Sequence, residues 1–299
     1  MNVTSGKRPS PRRILLYGQH GCGKSTWAAN APGAIFLNIE DGLNDIDCDK
    51  TDHLTSFAAV HESLTWLRTN SHHYKTVVID TIDWVEQLIF RDIASAAGVA
   101  SVADIDYGKG APRAIPKWQY LLELLNCVRR EKRMGVILLA HARLEKVANP
   151  EGTTYDRYAP DLWTNNRNEG VGNMVQEWCD EVLFARFKQF VRTEGKGFNE
   201  RGIAKSTQER EILTSESSFA LAKNRLNLPR TLPMEWPAYV AYVAASYAKP
   251  QAVAEIPPPG QAIIETNKPS GVDISGIVVD GSSKKQSPLV AEMETVFGG

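Results

Sequence analysis

The fold of this 299-residue chain is decided by a stretch near its start, Gly18-Gln19-His20-Gly21-Cys22-Gly23-Lys24-Ser25. The stretch fits the pattern G-x-x-x-x-G-K-[ST] at every position. An apolar run from Ile14 to Tyr17 precedes it, and a helical pattern from Lys24 to about Asn30 follows it. The sequence therefore predicts a strand, a glycine-rich loop and a helix, which is the setting of a phosphate-binding loop.

A loop of this kind binds a nucleotide through its backbone N–H groups, which surround the phosphates. We expect Lys24 to reach the β- and γ-phosphate oxygens and the Ser25 hydroxyl to ligate Mg²⁺. The predicted nucleotide-binding residues are the eight of the motif and Thr26, and the predicted cofactors are ATP and Mg²⁺.

A second ligand for the metal ends a later apolar run, Tyr74 to Asp80. P-loop enzymes hold Mg²⁺ with a carboxylate at the tip of such a strand. We therefore predict that Asp80 holds Mg²⁺ through water, with Asp83 as a weaker alternative. An aspartate that ends a strand is often only a cap or turn residue, and it is the loop upstream that favours the metal.

Short apolar runs alternate with helical patterns along the first half of the chain. Runs such as Thr76 to Ile79 and Val136 to Ala140 are typical of parallel strands covered on both faces. The sequence thus predicts an α/β fold with a mostly parallel sheet flanked by helices. Antiparallel strands are predicted after Glu177, at 181–187, 189–192, 210–214 and 219–222, followed by a helix from about Met234 to Tyr247.

Composition divides the chain into three parts. Residues 1–11 are polar and basic, and they predict a flexible N-terminus. Residues 12–248 hold the predicted P-loop domain. Residues 249–299 are rich in Pro, Gly and Ser and predict a largely disordered tail.

The composition also excludes several classes of protein. A formal net charge of −1 gives no global attraction to nucleic acid or membrane. No apolar run approaches the roughly 20 residues that span a bilayer, and no secretory signal follows the basic start. Four cysteines without a C-x-x-C pair argue against a disulfide framework and a zinc site, so we expect a reduced, cytoplasmic protein. One of them, Cys22, lies near Lys24, and we expect its thiol to be unusually reactive.

The base for nucleotide hydrolysis does not follow Asp80, because Thr81 stands where many P-loop ATPases have glutamate. The strand after the P-loop ends at Glu40. We expect this strand to lie beside the P-loop strand or one step away, so that Glu40 could orient an attacking water. From the residues alone, Glu40 could instead be a solvated turn residue.

This arrangement resembles the RecA-like ATPase core over roughly residues 12–230. In that family the catalytic glutamate ends the strand after the P-loop, as Glu40 does. A polar sensor, often glutamine, ends the strand after the metal-binding strand, where this chain has His141. The resemblance implies catalytic roles for Glu40, Lys24 and His141.

A later segment, Leu221 to Pro229, resembles the family's K-N-K motif. In that family the basic residues of the motif contact the ATP of a neighbouring protomer. The resemblance therefore implies that Lys223 and Arg225 act in trans and that the protein forms a homo-oligomer, either a ring or a filament.

Within the family, the compact form and the segment Tyr107-Gly108-Lys109-Gly110 resemble phage RecA-like single-strand annealing proteins of the Sak-four type. That resemblance implies ATP-dependent binding and annealing of single-stranded DNA, slow DNA-linked hydrolysis and a place in the host-cell cytoplasm. A single-strand-binding protein is a further partner that it allows.

Two long connections lie where RecA-like proteins place their DNA-binding loops. Loops of such length are uncommon unless they are functional or disordered. The first, residues 98–117, carries Lys109 and Arg113. We favour DNA contact for the second, because cations follow phosphates while rings stack on bases, and its aromatic residues need a surface to pack on. The second connection spans residues 143–172 and carries Arg143, Lys146, Tyr155, Arg157, Tyr158, Trp163 and Arg167.

A third basic segment, Arg186 to Arg210, contains seven basic and three acidic residues. From charge alone, a solvated hairpin is the favoured interpretation.

Other functions stay open. The same core suits a small hexameric DNA helicase or translocase. It also suits a nucleotide switch with little turnover, which would load or recruit a partner through the tail. A small-molecule kinase is weaker, because no lid-like arginine cluster is evident.

Overall fold

The computed structural model of the protein describes residues 3, 5–105, 108–149, 152–165, 169–194 and 201–248, with the backbone alone for 189–194 and 201–207. Tyr107, Arg167, residues 195–200 and the predicted tail 249–299 lie outside the described residues.

Nine strands of the described chain form the sheet. They are β1 (Arg13–Gly18), β2 (Ala34–Asn38), β3 (Asp49–Lys50), β4 (Thr76–Asp80), β5 (Gly135–Val147), β6 (Tyr155–Pro160), β7 (Glu181–Glu194), β8 (Arg201–Leu213) and β9 (Thr231–Pro233). Their order is β3-β2-β4-β5-β1-β7-β8-β9, and β6 pairs with β5. The pairs from β3 to β7 are parallel, whereas β6, β8 and β9 add antiparallel pairs.

Six α-helices of the described chain cover the sheet. They are α1 (Lys24–Ala29), α2 (Phe57–Thr69), α3 (Ile82–Ala97), α4 (Ala114–Lys132), α5 (Val171–Trp178) and α6 (Trp236–Tyr247). Within the described ranges, none is both long enough and apolar enough to cross a membrane.

Alternation along β1 divides the core into two layers. Ile14 and Leu16 pack in a cluster with Trp27 of α1 and with α6, on one face of the sheet. Leu15 and Tyr17 pack on the other face, in a cluster formed with α2 to α5. Side chains alternate between the faces of a strand, so a continuously apolar strand must be covered on both. This confirms the predicted α/β fold, a mostly parallel sheet flanked by helices with antiparallel strands towards its C-terminal end.

The C-terminal strands differ from the prediction. Residues 181–187 and 189–192 belong to one strand, β7, which pairs in parallel with β1 and antiparallel with β8. Residues 219–222 form no strand, because Ala220 bridges to Tyr158 on β6 while Lys223 bridges to β7. Two different neighbours leave no room for a continuous ladder.

The second predicted DNA-binding connection is not a single long loop, because part of it forms a β-hairpin. β5 continues to Val147 and turns back as β6, and α5 follows. A cross-strand ion pair between Arg157 and Glu145, at 2.7 Å, stabilises the hairpin. Arg157, one of the residues predicted to contact DNA, therefore has a carboxylate partner on the facing strand.

The expected position of the strand before Glu40 is also wrong. β2 is neither adjacent to β1 nor one step away, because β4 and β5 both lie between them.

A buried ion pair joins the two ends of the domain. Arg12 Nε donates to Glu181 Oε1 at 3.0 Å, and the Tyr239 hydroxyl donates to the other carboxylate oxygen. Glu181 and Tyr239 are fully buried. Since these residues stand before β1, at the start of β7 and on α6, the network connects three separate parts of the chain.

We predict that Glu181→Ala lowers the free energy of unfolding by about 3–5 kcal/mol, because it leaves the Arg12 charge buried without its partner. The control is Tyr239→Phe, which keeps the ion pair and removes one hydrogen bond to a charged group, at a cost of about 1.5–3 kcal/mol. Urea unfolding measures both. Equal losses in the two variants would show that the ion pair is not the stabilising element.

Candidate nucleotide-binding and catalytic site

The phosphate-binding loop joins β1 to α1, and its glycines are required by its geometry. A Cβ on Gly18 would stand 2.2 Å from the carbonyl oxygen of Ala185 on β7. Gly21 and Gly23 have φ of 71° and 93°, in the left-handed region that disfavours other residues. The loop can therefore turn tightly and bring its backbone close to a ligand.

Lys24 is nearly buried beneath this loop. Its Nζ donates to the carbonyl oxygens of Gly18 and Gln19, each at 3.1 Å. An ammonium group has three donors, so these two bonds leave one for a phosphate oxygen. The loop thus fits the phosphates of a nucleotide.

Ser25 and Asp80 meet across the loop. The Ser25 hydroxyl donates to Asp80 Oδ2 at 2.6 Å. Asp80 is only 5% exposed, and burial raises the pKa of its carboxyl group to about 6, although the bond from Ser25 opposes the shift. A hydroxyl and a buried carboxylate side by side are oxygen ligands suited to Mg²⁺. This pair fits the predicted metal.

Asp83, the weaker alternative for holding Mg²⁺, contacts His141 instead. Its carboxylate accepts from the backbone N–H of His141 at 3.0 Å and lies 2.7 Å from the His141 ring atom Nδ1. This hydrogen bond raises the pKa of His141 against the effect of burial. Asp83 therefore orients the histidine. The sequence feature that could have indicated this contact is an acid in the first turn of the helix that follows Asp80.

Glu40 lies beside the other side of His141. Its Oε1 is 3.6 Å from His141 Nε2, and the ring of His20 stacks on that of His141 with centroids 4.0 Å apart. Ligand atoms of these three residues lie within 4.8 Å of one another, so they could hold a metal ion. Two imidazoles suit a softer metal than Mg²⁺, which leaves Ser25 and Asp80 as the residues that fit magnesium.

These groups line one cleft of about 300 Å³. The cleft brings together P-loop residues 20–21 and 23–26 with Glu40, Asp80 and His141. It also contains Arg210 of β8, which the sequence did not single out as a site residue. No local pattern could have indicated Arg210, because the sheet alone brings β8 to the P-loop.

Cys22 does not have the reactive thiol that we expected. The side chain is fully buried in the cluster with Trp27. Burial raises the pKa of the thiol, and the neighbouring Lys24 only partly opposes this. A thiol without solvent contact and with a raised pKa is a poor nucleophile, so that expectation is wrong.

The two predicted trans residues are engaged within their own chain. Lys223 Nζ donates to the carbonyl oxygens of Gln176, Glu177 and Cys179, at 2.8, 3.3 and 2.9 Å, and burial lowers its pKa. Arg225 makes a longer ion pair with Asp180, at 3.4 Å, and its side chain is 54% exposed. Of the two, Arg225 is better placed to reach another protomer.

The predicted DNA-binding residues differ in how exposed they are and in whether they already have a partner within the chain. Lys109, Arg113 and Lys146 are exposed. Arg143 bonds to Thr164, and Arg157 pairs with two glutamates. Tyr155 is half-buried on β6.

Two of the aromatic residues in that set already have a packing surface. Tyr158 and Trp163 pack against the core cluster that contains Trp118, and Tyr158 stacks on Phe184. The argument that they need a ligand to pack on is therefore wrong, and their contact with DNA stays a prediction.

We predict that Asp80→Asn removes part of the pH dependence of Mg·ATP binding. With a pKa of about 6, the Asp80 carboxyl is ionised above this value and neutral below it. Mg²⁺-dependent affinity should therefore fall about tenfold between about pH 7.5 and about pH 5. Isothermal titration calorimetry measures it, and titrations in EDTA give the contribution of the nucleotide's own protonation. An unchanged pH profile in Asp80→Asn would exclude Asp80 as the metal ligand.

We predict that Glu40→Gln lowers the rate of ATP hydrolysis about 10²–10⁴-fold, the range for loss of a general base, and leaves ATP affinity unchanged. Asp41→Asn is the matched control, because Asp41 is the adjacent acid and lies exposed outside the cleft. Steady-state hydrolysis and equilibrium binding distinguish the variants. Equal rates of ATP hydrolysis by Glu40→Gln and Asp41→Asn would show that Glu40 is not the general base.

Comparisons with known proteins give a family for the chain. No curated protein matches the chain. Among solved structures, a RadB recombinase is 14% identical over 68% of this chain and 90% of its own, with a TM-score of 0.37. A KaiC-like protein of Pyrococcus horikoshii is 14% identical over 70% of this chain and 80% of its own, with a TM-score of 0.32. The family described as "AAA domain" matches residues 10–226, and the chain belongs to this family of P-loop ATPases.

Proposed function

We propose that the protein is an ATP-dependent single-stranded-DNA-binding and strand-annealing protein of phage-type homologous recombination. One observation supports the link between nucleotide and DNA. β5 runs without a break from His141, in the phosphate cleft, to Lys146 on the exposed hairpin. The same strand therefore connects the nucleotide site with a candidate DNA-binding surface.

The hydrolytic step is assigned to residues of the cleft. Lys24, Ser25 and Asp80 would hold Mg·ATP, where the metal neutralises charge on the phosphates. Glu40 would accept a proton from the attacking water. His141, fixed by Asp83, would donate to a γ-phosphate oxygen and so report whether that phosphate is present.

The DNA surface is assigned first to Lys109, Arg113 and Lys146, which are exposed. Lys146 is 81% exposed and makes a 3.2 Å ion pair with Asp156, a contact that costs little to exchange for a phosphate. Basic side chains bind a flexible single strand chiefly through its phosphates, and these contacts do not depend on the base sequence.

Assembly is the remaining part of the proposal. ATP would lie between protomers, with Arg225 approaching the neighbour's phosphates, so that nucleotide binding favours the oligomer that presents the DNA surface. To exchange its ion pair with Asp180 for a phosphate contact would cost Arg225 little free energy, because its side chain is already half exposed.

We predict that a labelled single-stranded oligonucleotide binds more tightly with a non-hydrolysable ATP analogue than with ADP, and that Lys24→Ala abolishes this difference. Fluorescence anisotropy measures the affinity at several salt concentrations. Replacing Lys109, Arg113 and Lys146 together by alanine should reduce the slope of log K against log salt by about 2, at about 0.7 per phosphate contact.

The matched control replaces three exposed cations that the proposal places in no site, which are Arg68 on α2, Arg91 on α3 and Arg130 on α4, together by alanine. An equal loss in this control would mean that net charge, and not the assigned surface, determines binding. Protein that binds ATP but no strand in any nucleotide state would contradict the proposal and favour a nucleotide switch. Strand displacement with sustained hydrolysis would favour a translocase, and pairing of complementary strands without it supports annealing.

A further inference from the structure

Arg210 reaches the phosphate cleft because of its position on β8. Side chains on one face of a strand recur every second residue, and Ile212 packs with Cys22 and Trp27 on the α1 face. Arg210 shares that face and points towards the P-loop. Its Nη1 lies 2.6 Å from the position that a Cβ on Gly23 would occupy. The guanidinium group therefore lies directly against the backbone of the loop.

The charge of Arg210 is not neutralised by a described carboxylate. Its neighbours on β8 are engaged elsewhere, since Glu209 pairs with Lys188 at 3.2 Å and Glu211 pairs with Arg186. The guanidinium carbon of Arg210 lies 5.5 Å from the centroid of the Phe187 ring, a cation–π contact that keeps its charge. A cation is thus held beside the loop that binds phosphates, with its hydrogen-bonding fork available to an anion.

We propose that Arg210 binds the γ-phosphate of ATP in cis and stabilises the charge that develops on it during hydrolysis. A guanidinium group is planar, always charged and able to make paired hydrogen bonds to phosphate oxygens. Preorganised donors of this kind act most strongly where charge increases in the transition state. The inference rests on the proposed ATPase function and adds the residue that completes the charge of the site.

This assignment adds a cation from the same chain to the one expected from a neighbouring protomer. The resemblance to RecA-like proteins places Lys223 and Arg225 of a neighbouring protomer at the phosphates, but the Lys223 amine is held by three carbonyl oxygens of its own chain. Arg210 already lines the cleft of its own chain. Arg210 is therefore present at the cleft before a protomer assembles, whereas Arg225 would reach a neighbour's phosphates only on assembly.

The test compares Arg210→Ala and Arg210→Lys with Lys188→Ala, a cation on the adjacent strand that does not line the cleft. We expect Arg210→Ala to lower kcat about 10²–10³-fold, the range for loss of one transition-state donor. Affinity for a non-hydrolysable ATP analogue should fall while ADP affinity stays unchanged. Arg210→Lys should recover part of the loss, because it keeps the charge without the fork. Lys188→Ala should resemble the wild type.

Mixing experiments separate action in cis from action in trans. Arg210→Ala protein mixed with Lys24→Ala protein should stay inactive, because no chain then has both an intact loop and Arg210. Recovery of hydrolysis in that mixture would overturn the cis assignment. Arg225→Ala mixed with Lys24→Ala is the comparison in which a trans residue restores activity.

Two further outcomes overturn the inference alone. If Arg210→Ala hydrolyses ATP like the wild type, Arg210 does not act on the γ-phosphate. If it loses ADP and ATP affinity equally, Arg210 supports the fold of the loop instead. Failure of the wild type itself to bind ATP would instead contradict the proposed function, so the two failures are distinguishable.

Discussion

The site depends on one constraint, the shared edge at which the parallel strands end. β5 lies between β1 and β4, and its hydrogen bonds fix Gly18 opposite His141 and Asp80 opposite Leu139. A shift of one residue in register would exchange the two faces of a strand and move the residue at its end. The phosphate loop, Asp80 and His141 are therefore placed by the same backbone hydrogen bonds that hold the sheet together.

At this edge the aspartate that ends β4 and the one that follows it have different partners. Asp80 faces Ser25 and is nearly buried, with its pKa raised by burial to about 6. A bound cation removes the cost of its buried charge. Asp83, in the first turn of α3, instead accepts from the backbone N–H of His141 and lies beside its ring. The two carboxylates are close in sequence, and it is geometry that places one beside Ser25 and the other beside the histidine.

Much of this could be predicted from the sequence because it is local. The P-loop, the apolar strands and the position of Asp80 at a strand end all follow from patterns of neighbouring residues. What failed depends on contacts between distant residues. Phe219 to Ala222 has an apolar pattern but bridges to two different strands. The connection that carries Arg157 contains a hairpin, in which Arg157 pairs with Glu145 on the facing strand. Arg210 belongs to the site only because β8 follows β7 in the sheet.

Two strands of the site continue beyond the parallel sheet, and this bears on how nucleotide could act at a distance. β5 extends from His141 to Val147, and β7 extends from its pairing with β1 to Glu194 beside β8. Each continuation pairs in an antiparallel ladder, β5 with β6 and β7 with β8. His141 lies on the first of these pairs and Arg210 on the second. Under the proposed function, one γ-phosphate would therefore contact both hairpins, of which the first bears Lys146.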